Sequence, residues 1–111
     1  MLPASSRLRR PDEFRDTMRQ GVRSGRECLV MHARRRGEEP SRAGFVVSRA
    51  VGKAVQRNRV KRRLRHLTAT AFQSAPFPVD LVVRALPAAT DGDLQGDFAS
   101  AWSRCLDRLA A

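Results

Sequence analysis

The sequence predicts one compact domain of the α+β class, and three observations carry that expectation. At 111 residues with a hydrophobic content of 41%, the chain is long enough for one modest core, too short for two, and too apolar for global disorder. Along it the apolar spacing switches repeatedly between the period of a strand and that of a helix, with no internal repeat, low-complexity block or long linker. One run, Val79 to Leu86 ("VDLVVRAL"), is apolar at nearly every position, which suits a strand in a central or parallel position.

The elements follow in order. "RRPDEFRDTMRQG" predicts a short helix: Pro11 suits the first turn, Asp12 and Glu13 the positive end of the dipole, Arg19 the negative end, and Gly21 a stop. "ECLVMHAR" alternates Cys28, Val30 and His32 against Leu29, Met31 and Ala33, as a strand does, and "RRGEEPS" supplies a turn. "RAGFVVSR" then reads as a second strand and as the hairpin partner of the first. From about Gly52 the period becomes helical, with Val60, Leu64, Leu67 and Ala71 as the apolar stripe. That helix should end before "SAPFP", where Ser74 and two prolines break the pattern. "VDLVVRAL" is the third strand and "PAATDGD" a loop. The last segment places Phe98, Ala101, Trp102, Cys105, Leu106 and Leu109 on one stripe, an amphipathic helix to cover the sheet.

Charge says what kind of partner to expect. The chain carries 22 Lys+Arg against 11 Asp+Glu, a formal net charge of +11, and such an excess repels itself unless a polyanion neutralises it. Only Lys53 and Lys61 are lysines, and the planar fork of arginine favours phosphate and base stacking, hence nucleic acid over an acidic membrane surface. The charge is also partitioned. Seven arginines lie between Arg7 and Arg26 and seven Lys/Arg between Lys53 and Arg65, while the C-terminal segment is mildly acidic through Asp91, Asp93, Asp97 and Asp107.

The densest stretch is "AVQRNRVKRRLRH", with six basic side chains in the nine positions from Arg57 to Arg65 and no acid anywhere from Gly52 to His66. An ordinary solvated helix mixes both signs. On a helical wheel Val60 and Leu64 mark the core face, Arg57, Lys61 and Arg65 form a row along one flank, Asn58 and Arg62 point away from the core, and Arg59 and Arg63 take the other flank. A row at i, i+4, i+8 spans about 12 Å, the reach of a few nucleotides.

With Arg57-Asn58-Arg59 at its centre, "GKAVQRNRVKRRLRH" resembles the RNR signature of the protein subunit of bacterial ribonuclease P. "RLRRPDEF" is similar to that family's opening helix, "GFVVSRAVGKAV" to its second strand and the approach to the RNR helix, and "DLVVRALP" to its third strand, so the resemblance spans nearly the whole chain. It implies a single RNA-binding domain over residues 1–111, α+β in class, of order αβββαβα. The implied sheet is mixed, with a left-handed βαβ crossover, as in the second domain of ribosomal protein S5. One strand more is thus implied than the residues themselves disclose. The resemblance further implies a protein that cuts nothing itself: a catalytic RNA removes the 5′ leader of precursor tRNA with RNA-bound Mg2+, and the protein binds both that RNA and the leader. Carried over by position, Lys53, Arg57, Asn58, Arg59, Lys61, Arg62, Arg63 and Arg65 become RNA contacts. Phe14, Met18 and His32 line a leader-binding cleft between the first helix and the sheet. Phe14 matches the family's aromatic; Met18 and His32 stand where further aromatics are common.

The residues agree with a non-catalytic role. His32 and His66 have no nucleophile or carboxylate constellation near them in sequence, and the scattered acids form no motif for metal-assisted hydrolysis. No catalytic residue, protein-held cofactor, metal site or small-molecule substrate is expected. Cys28 and Cys105 lie far apart without metal-ligand spacing and read as small buried hydrophobes of a reducing compartment. With no apolar run fit for a signal peptide or a membrane span, the expected location is the cytoplasm. Two rival readings keep the basic helix: a ribosomal-type RNA-binding protein or RNA chaperone, which needs no leader cleft, and a membrane-surface protein. The latter would set Trp or Phe beside the basic face, whereas this stripe is Val, Leu and Ala.

Overall fold

The computed structural model describes residue 3 and residues 6–111; the opening stretch, read above as unlike a signal peptide, lies partly outside them. The chain runs α1 (Pro11–Gln20), β1 (Val22–Gly25), β2 (Leu29–Arg35), β3 (Arg42–Val46), α2 (Ala54–Gln73), β4 (Val79–Ala85) and α3 (Leu94–Ala110), with one 3-10 turn at Arg49–Val51 and another at Pro87–Thr90. This is the αβββαβα order of an α+β domain. The four strands form one mixed sheet in the order β1-β2-β4-β3. Among the described residues, no helix is long and apolar enough to cross a membrane.

Two expectations need correction. β3 is not the hairpin partner of β2. β4 stands between them, antiparallel to β2 (Leu29↔Ala85 through Arg35↔Val79) and parallel to β3 (Arg42↔Asp80 through Val46↔Arg84). The turn-like "RRGEEPS" suggested a hairpin, but the most apolar strand belongs in the centre, where both of its faces are covered. The true hairpin is β1 with β2 (Val22↔Ala33 through Gly25↔Val30). β1 is the strand that the residues alone did not disclose, four residues long and with a single buried side chain, Ser24. The stripe of α2 is also shifted: Val60, Leu64 and Thr68 are buried, whereas Leu67 and Ala71 are half-buried.

One face of the sheet, with Leu29, Met31, Ala33, Leu81, Val83 and Ala85, meets Val60 and Leu64 of α2 and Phe98, Ala101 and Cys105 of α3 in the main core. Asp93 caps α3 by accepting from the Gly96 N–H (3.0 Å). Both cysteines are free and buried, and burial above all pushes each thiol up to about 11. The outer edge of β3 is partly covered by the N-terminal segment, where the Leu8 N–H donates to the Ala43 carbonyl (2.8 Å).

The opposite face carries a buried charge. Asp80, in the middle of the apolar β4 run, is fully inaccessible to solvent. Arg42 grips it with two parallel bonds, Nε to Oδ1 and Nη2 to Oδ2, both 3.0 Å, the bidentate geometry that suits arginine. Arg34 adds Nη2 to Oδ2 at 3.0 Å, and the Arg36 guanidinium lies 3.6 Å from Oδ1. The same arginines reach outward. Arg42 also bonds Glu13, Arg34 bonds Gln20 (2.9 Å), and Arg36 bonds Glu39. Both ends of α1 are thereby tied through guanidiniums to one carboxylate in the central strand. Glu13 closes the start of α1 as well, accepting from the Arg10 N–H (3.1 Å).

Burial alone would push the Asp80 carboxyl up, but the arginine bonds and charges outweigh it and hold the group below the ordinary carboxylate range. Glu13 is held down too, first by the Arg10 N–H, against the opposing effect of burial, with help from Arg9 and Arg42. In the unfolded chain an aspartate titrates near 3.9 (about the model-peptide value), so stability from Asp80 is complete above that pH and lost as pH falls through the lower folded value. Urea unfolding from about pH 7 down to about pH 2 should therefore show, for the Asp80 contribution, a loss confined to the range below roughly pH 4. Asp80→Asn should be less stable by about 3–5 kcal/mol at neutral pH, because the arginines lose their counter-charge, and should show a shallower acid slope. A variant with wild-type stability and slope would contradict the clamp.

Candidate nucleic-acid interface

The approach to α2 is made by Gly52, whose φ of +152° lies in the region that disfavours side chains. A Cβ there would also stand 2.1 Å from Gln56 Oε1, the oxygen that accepts from the Lys53 N–H (3.0 Å) at the start of the helix. From that fixed start the wheel read from the sequence is realised. Asn58, Arg59, Arg62 and Arg63 are exposed, and Arg57, Lys61 and Arg65 are half-buried along the flank. None of the seven Lys/Arg side chains from Lys53 to Arg65 forms an ion pair among the described residues. Arg57 sits deepest, with Nε buried and without a hydrogen-bond partner. Beside Val55, an exposed apolar side chain, the residues Asn58, Arg59, Lys61, Arg62 and Arg65 line an open concavity along the helix.

The clamp decides where Phe14 goes. Glu13 is held by Arg42, and Gly44, two residues further along β3 on the same face, lies directly beneath the Phe14 ring. A Cβ added at Gly44 would come within 2.3 Å of Cζ. The ring is half-buried, not sealed in the core. With Gly44, Phe45, Leu8, Lys61 and Arg65 it lines a groove of about 140 Å³ at the β3 edge. The structure thus brings Phe14 together with two members of the α2 row, a juxtaposition that the separate readings of α1 and α2 did not contain.

Met18 and His32 do not join that groove. Met18 is 38% exposed on α1. His32 is 7% exposed on the α1 side of the sheet, opposite Arg23 on β1 and Val82 on β4, and its Nδ1 has no hydrogen-bond partner. Burial first, then the charges of Arg23 and Arg84, push its pKa down and keep the imidazole neutral. Arg23, Arg84, Arg42 and Phe45 are contributors that the sequence reading left out. Arg23 sits in β1, the strand that the residues alone did not disclose, Arg84 sits in a strand read for its apolar pattern, and a lone Asp inside "VDLVV" was the available sign that an arginine would be spent on pairing.

A small α+β domain that presents an unopposed cationic helix beside an aromatic-floored groove defines a nucleic-acid-binding protein. The family model described as Ribonuclease P matches residues 2–109, and the chain belongs to that protein family. It is 47% identical to the ribonuclease P protein component of Kocuria rhizophila, covering 99% of this chain and 100% of that one, and 48% identical to that of a Nocardioides species, covering 100% and 97%. The RNase P protein from Thermotoga maritima superimposes with a TM-score of 0.67 at 30% identity, over 93% of this chain and 94% of that one. The Staphylococcus aureus protein superimposes with a TM-score of 0.79 at 23% identity, over 89% and 94%, and so speaks for the fold.

The Phe14–Gly44 contact has a direct check. Gly44→Ala should destabilise the protein by about 1–3 kcal/mol, because the added methyl displaces the ring, and should be near neutral in a Phe14→Ala background. A double-mutant cycle by urea unfolding measures the coupling; additive effects would mean that the ring does not rest on Gly44.

Proposed function

We propose that the chain is the protein subunit of a cytoplasmic ribonuclease P, binding the catalytic RNA and the 5′ leader of precursor tRNA so that the RNA removes that leader. The observation that carries this reading is the α2 surface, six cations on the helix and Lys53 at its N-cap, none in an ion pair among the described residues, in a chain of this family. Lys53, Arg57, Arg59, Lys61, Arg62, Arg63 and Arg65 meet phosphates, and Asn58 adds a neutral hydrogen-bonding group; the narrow major groove of A-form RNA leaves side chains little sequence to read there. The protein neutralises backbone repulsion between two RNA molecules and so lowers the Mg2+ needed to hold them together. The chemistry belongs to the RNA and its metal ions. Asp80, the carboxylate buried at the centre of the sheet, is committed to arginines. The leader lies over α1 and the adjoining sheet face, with Phe14 as the stacking platform and Met18 and His32 farther along.

Reconstitution with a ribonuclease P RNA tests the reading. The purified protein alone should cleave nothing, and with the RNA it should restore precursor-tRNA cleavage at low Mg2+; cleavage by protein free of RNA would end the proposal. Alanine at Arg57, Lys61 or Arg65 should each lower the log–log salt slope of RNA binding by roughly 0.7–0.9, and an unchanged slope would mean solvated or structural side chains. Phe14→Ala should weaken precursor tRNA binding to the holoenzyme by about 1–3 kcal/mol, one base stack, and leave mature tRNA nearly untouched. Equal weakening for both tRNAs would return Phe14 to a structural role.

A further inference from the structure

Where α2 passes the start of α3, on the side of the helix away from Phe14, Arg62, Arg63, His66, Leu67 and Gln95 line an open concavity of about 430 Å³. That volume falls in the usual range of ligand sites, roughly 300–1,000 Å³. The site is built from two elements, because Gln95 belongs to the first turn of α3 and the others to the C-terminal half of the basic run. Its walls are chemically mixed in an informative way. Leu67 and the imidazole of His66, one helical step apart, offer flat and apolar surface. Arg62 and Arg63 offer positive charge, and the Gln95 amide offers both a donor and an acceptor. Arg62, Arg63, His66 and Gln95 are all exposed, and none has a side-chain hydrogen bond or ion pair among the described residues.

We infer that this concavity receives one unpaired nucleotide of the catalytic RNA, its phosphate against Arg62 and Arg63, its base against His66 and Leu67, and its edge on the Gln95 amide. The inference rests on the RNA-binding function proposed above and adds to it a contact with a base, in a protein whose α2 otherwise meets backbone. Charge complementarity selects the occupant. A peptide or lipid tail would use the apolar wall but would leave two guanidiniums without a counter-ion, whereas a nucleotide satisfies wall, charge and amide together. Unpaired bases are held in this manner by stacking on His or Arg planes with hydrogen bonds to the base edge.

The test uses the full chain bound to the catalytic RNA, with two readouts: the dissociation constant and the chemical reactivity of unpaired bases in the RNA. His66→Ala should bind about tenfold more weakly, the effect of one lost base stack, and His66→Phe should stay within about twofold of wild type because the stack is kept. Gln95→Ala should weaken binding about threefold or more without changing the salt slope, since no charge is removed. At protein concentrations that saturate the RNA, one base protected by the wild-type protein should become reactive with His66→Ala and with Gln95→Ala. Both altered residues are exposed, so unchanged unfolding midpoints should accompany these effects. Variants that bind and protect as the wild type does would overturn the inference while leaving the α2 interface standing. A wild-type protein that does not bind the RNA would overturn the function beneath it as well.

Discussion

A carboxylate without water in the centre of a sheet has to be matched, and the matching of Asp80 organises much of this molecule. An unpaired ionised group at full burial would be strongly unfavourable. Three guanidiniums converge on it, from β2, from the segment just after β2, and from β3. Those arginines then carry surplus positive charge, which Glu13, Gln20 and Glu39 accept in a second layer. Since Glu13 and Gln20 belong to the two ends of α1, the helix has one seating on the sheet. The clamp is thus less a source of net stability than a device for position.

Position matters because the two surfaces proposed to bind RNA come from distant parts of the chain. α1 supplies Phe14 and α2 supplies Lys61 and Arg65, and they meet across the edge of β3, where Gly44 leaves room for the ring and Leu8 covers part of the strand. Arginine accordingly plays two roles that composition does not separate. Arg34, Arg36 and Arg42 are consumed internally, whereas the α2 cations form no ion pair among the described residues. Only the second group keeps its charge available for phosphate, so the net charge of +11 points to a polyanionic partner without locating the surface that would meet it.

Much of this was legible in the chain. The helical extent of α2, the apolar spacing of α3, the Pro11 start and Gly21 stop of α1, and the central place of "VDLVV" follow from local periodicity and capping, and the structure bears them out. The basic run of α2 was equally readable, since helical geometry alone sorts its flanks. What escaped was non-local. β1 is too short to show a period, and its pairing with β2 is a choice of partner, not of propensity. The pairing of β3 with β4 depends on which strand most needs covering on both faces. Thr68 takes a core position that Leu67 and Ala71 were expected to fill because a polar residue breaks the apolar count. The seating of Phe14 depends on an ion pair between residues 29 positions apart, which no window along the sequence contains.

The most direct measurement changes the clamp and reads the cleft. Glu13→Gln keeps a side-chain oxygen for the Arg10 N–H but removes the charge that Arg42 holds, so α1 should remain helical and lose its fixed seating. In holoenzyme reconstituted with this variant, affinity for precursor tRNA should fall by about fivefold or more, the lower end for one base stack, while affinity for mature tRNA stays at the wild-type value. An unchanged preference for precursor over mature tRNA, in a variant shown to have lost the Glu13–Arg42 pair, would contradict the claim that the buried carboxylate positions the leader site.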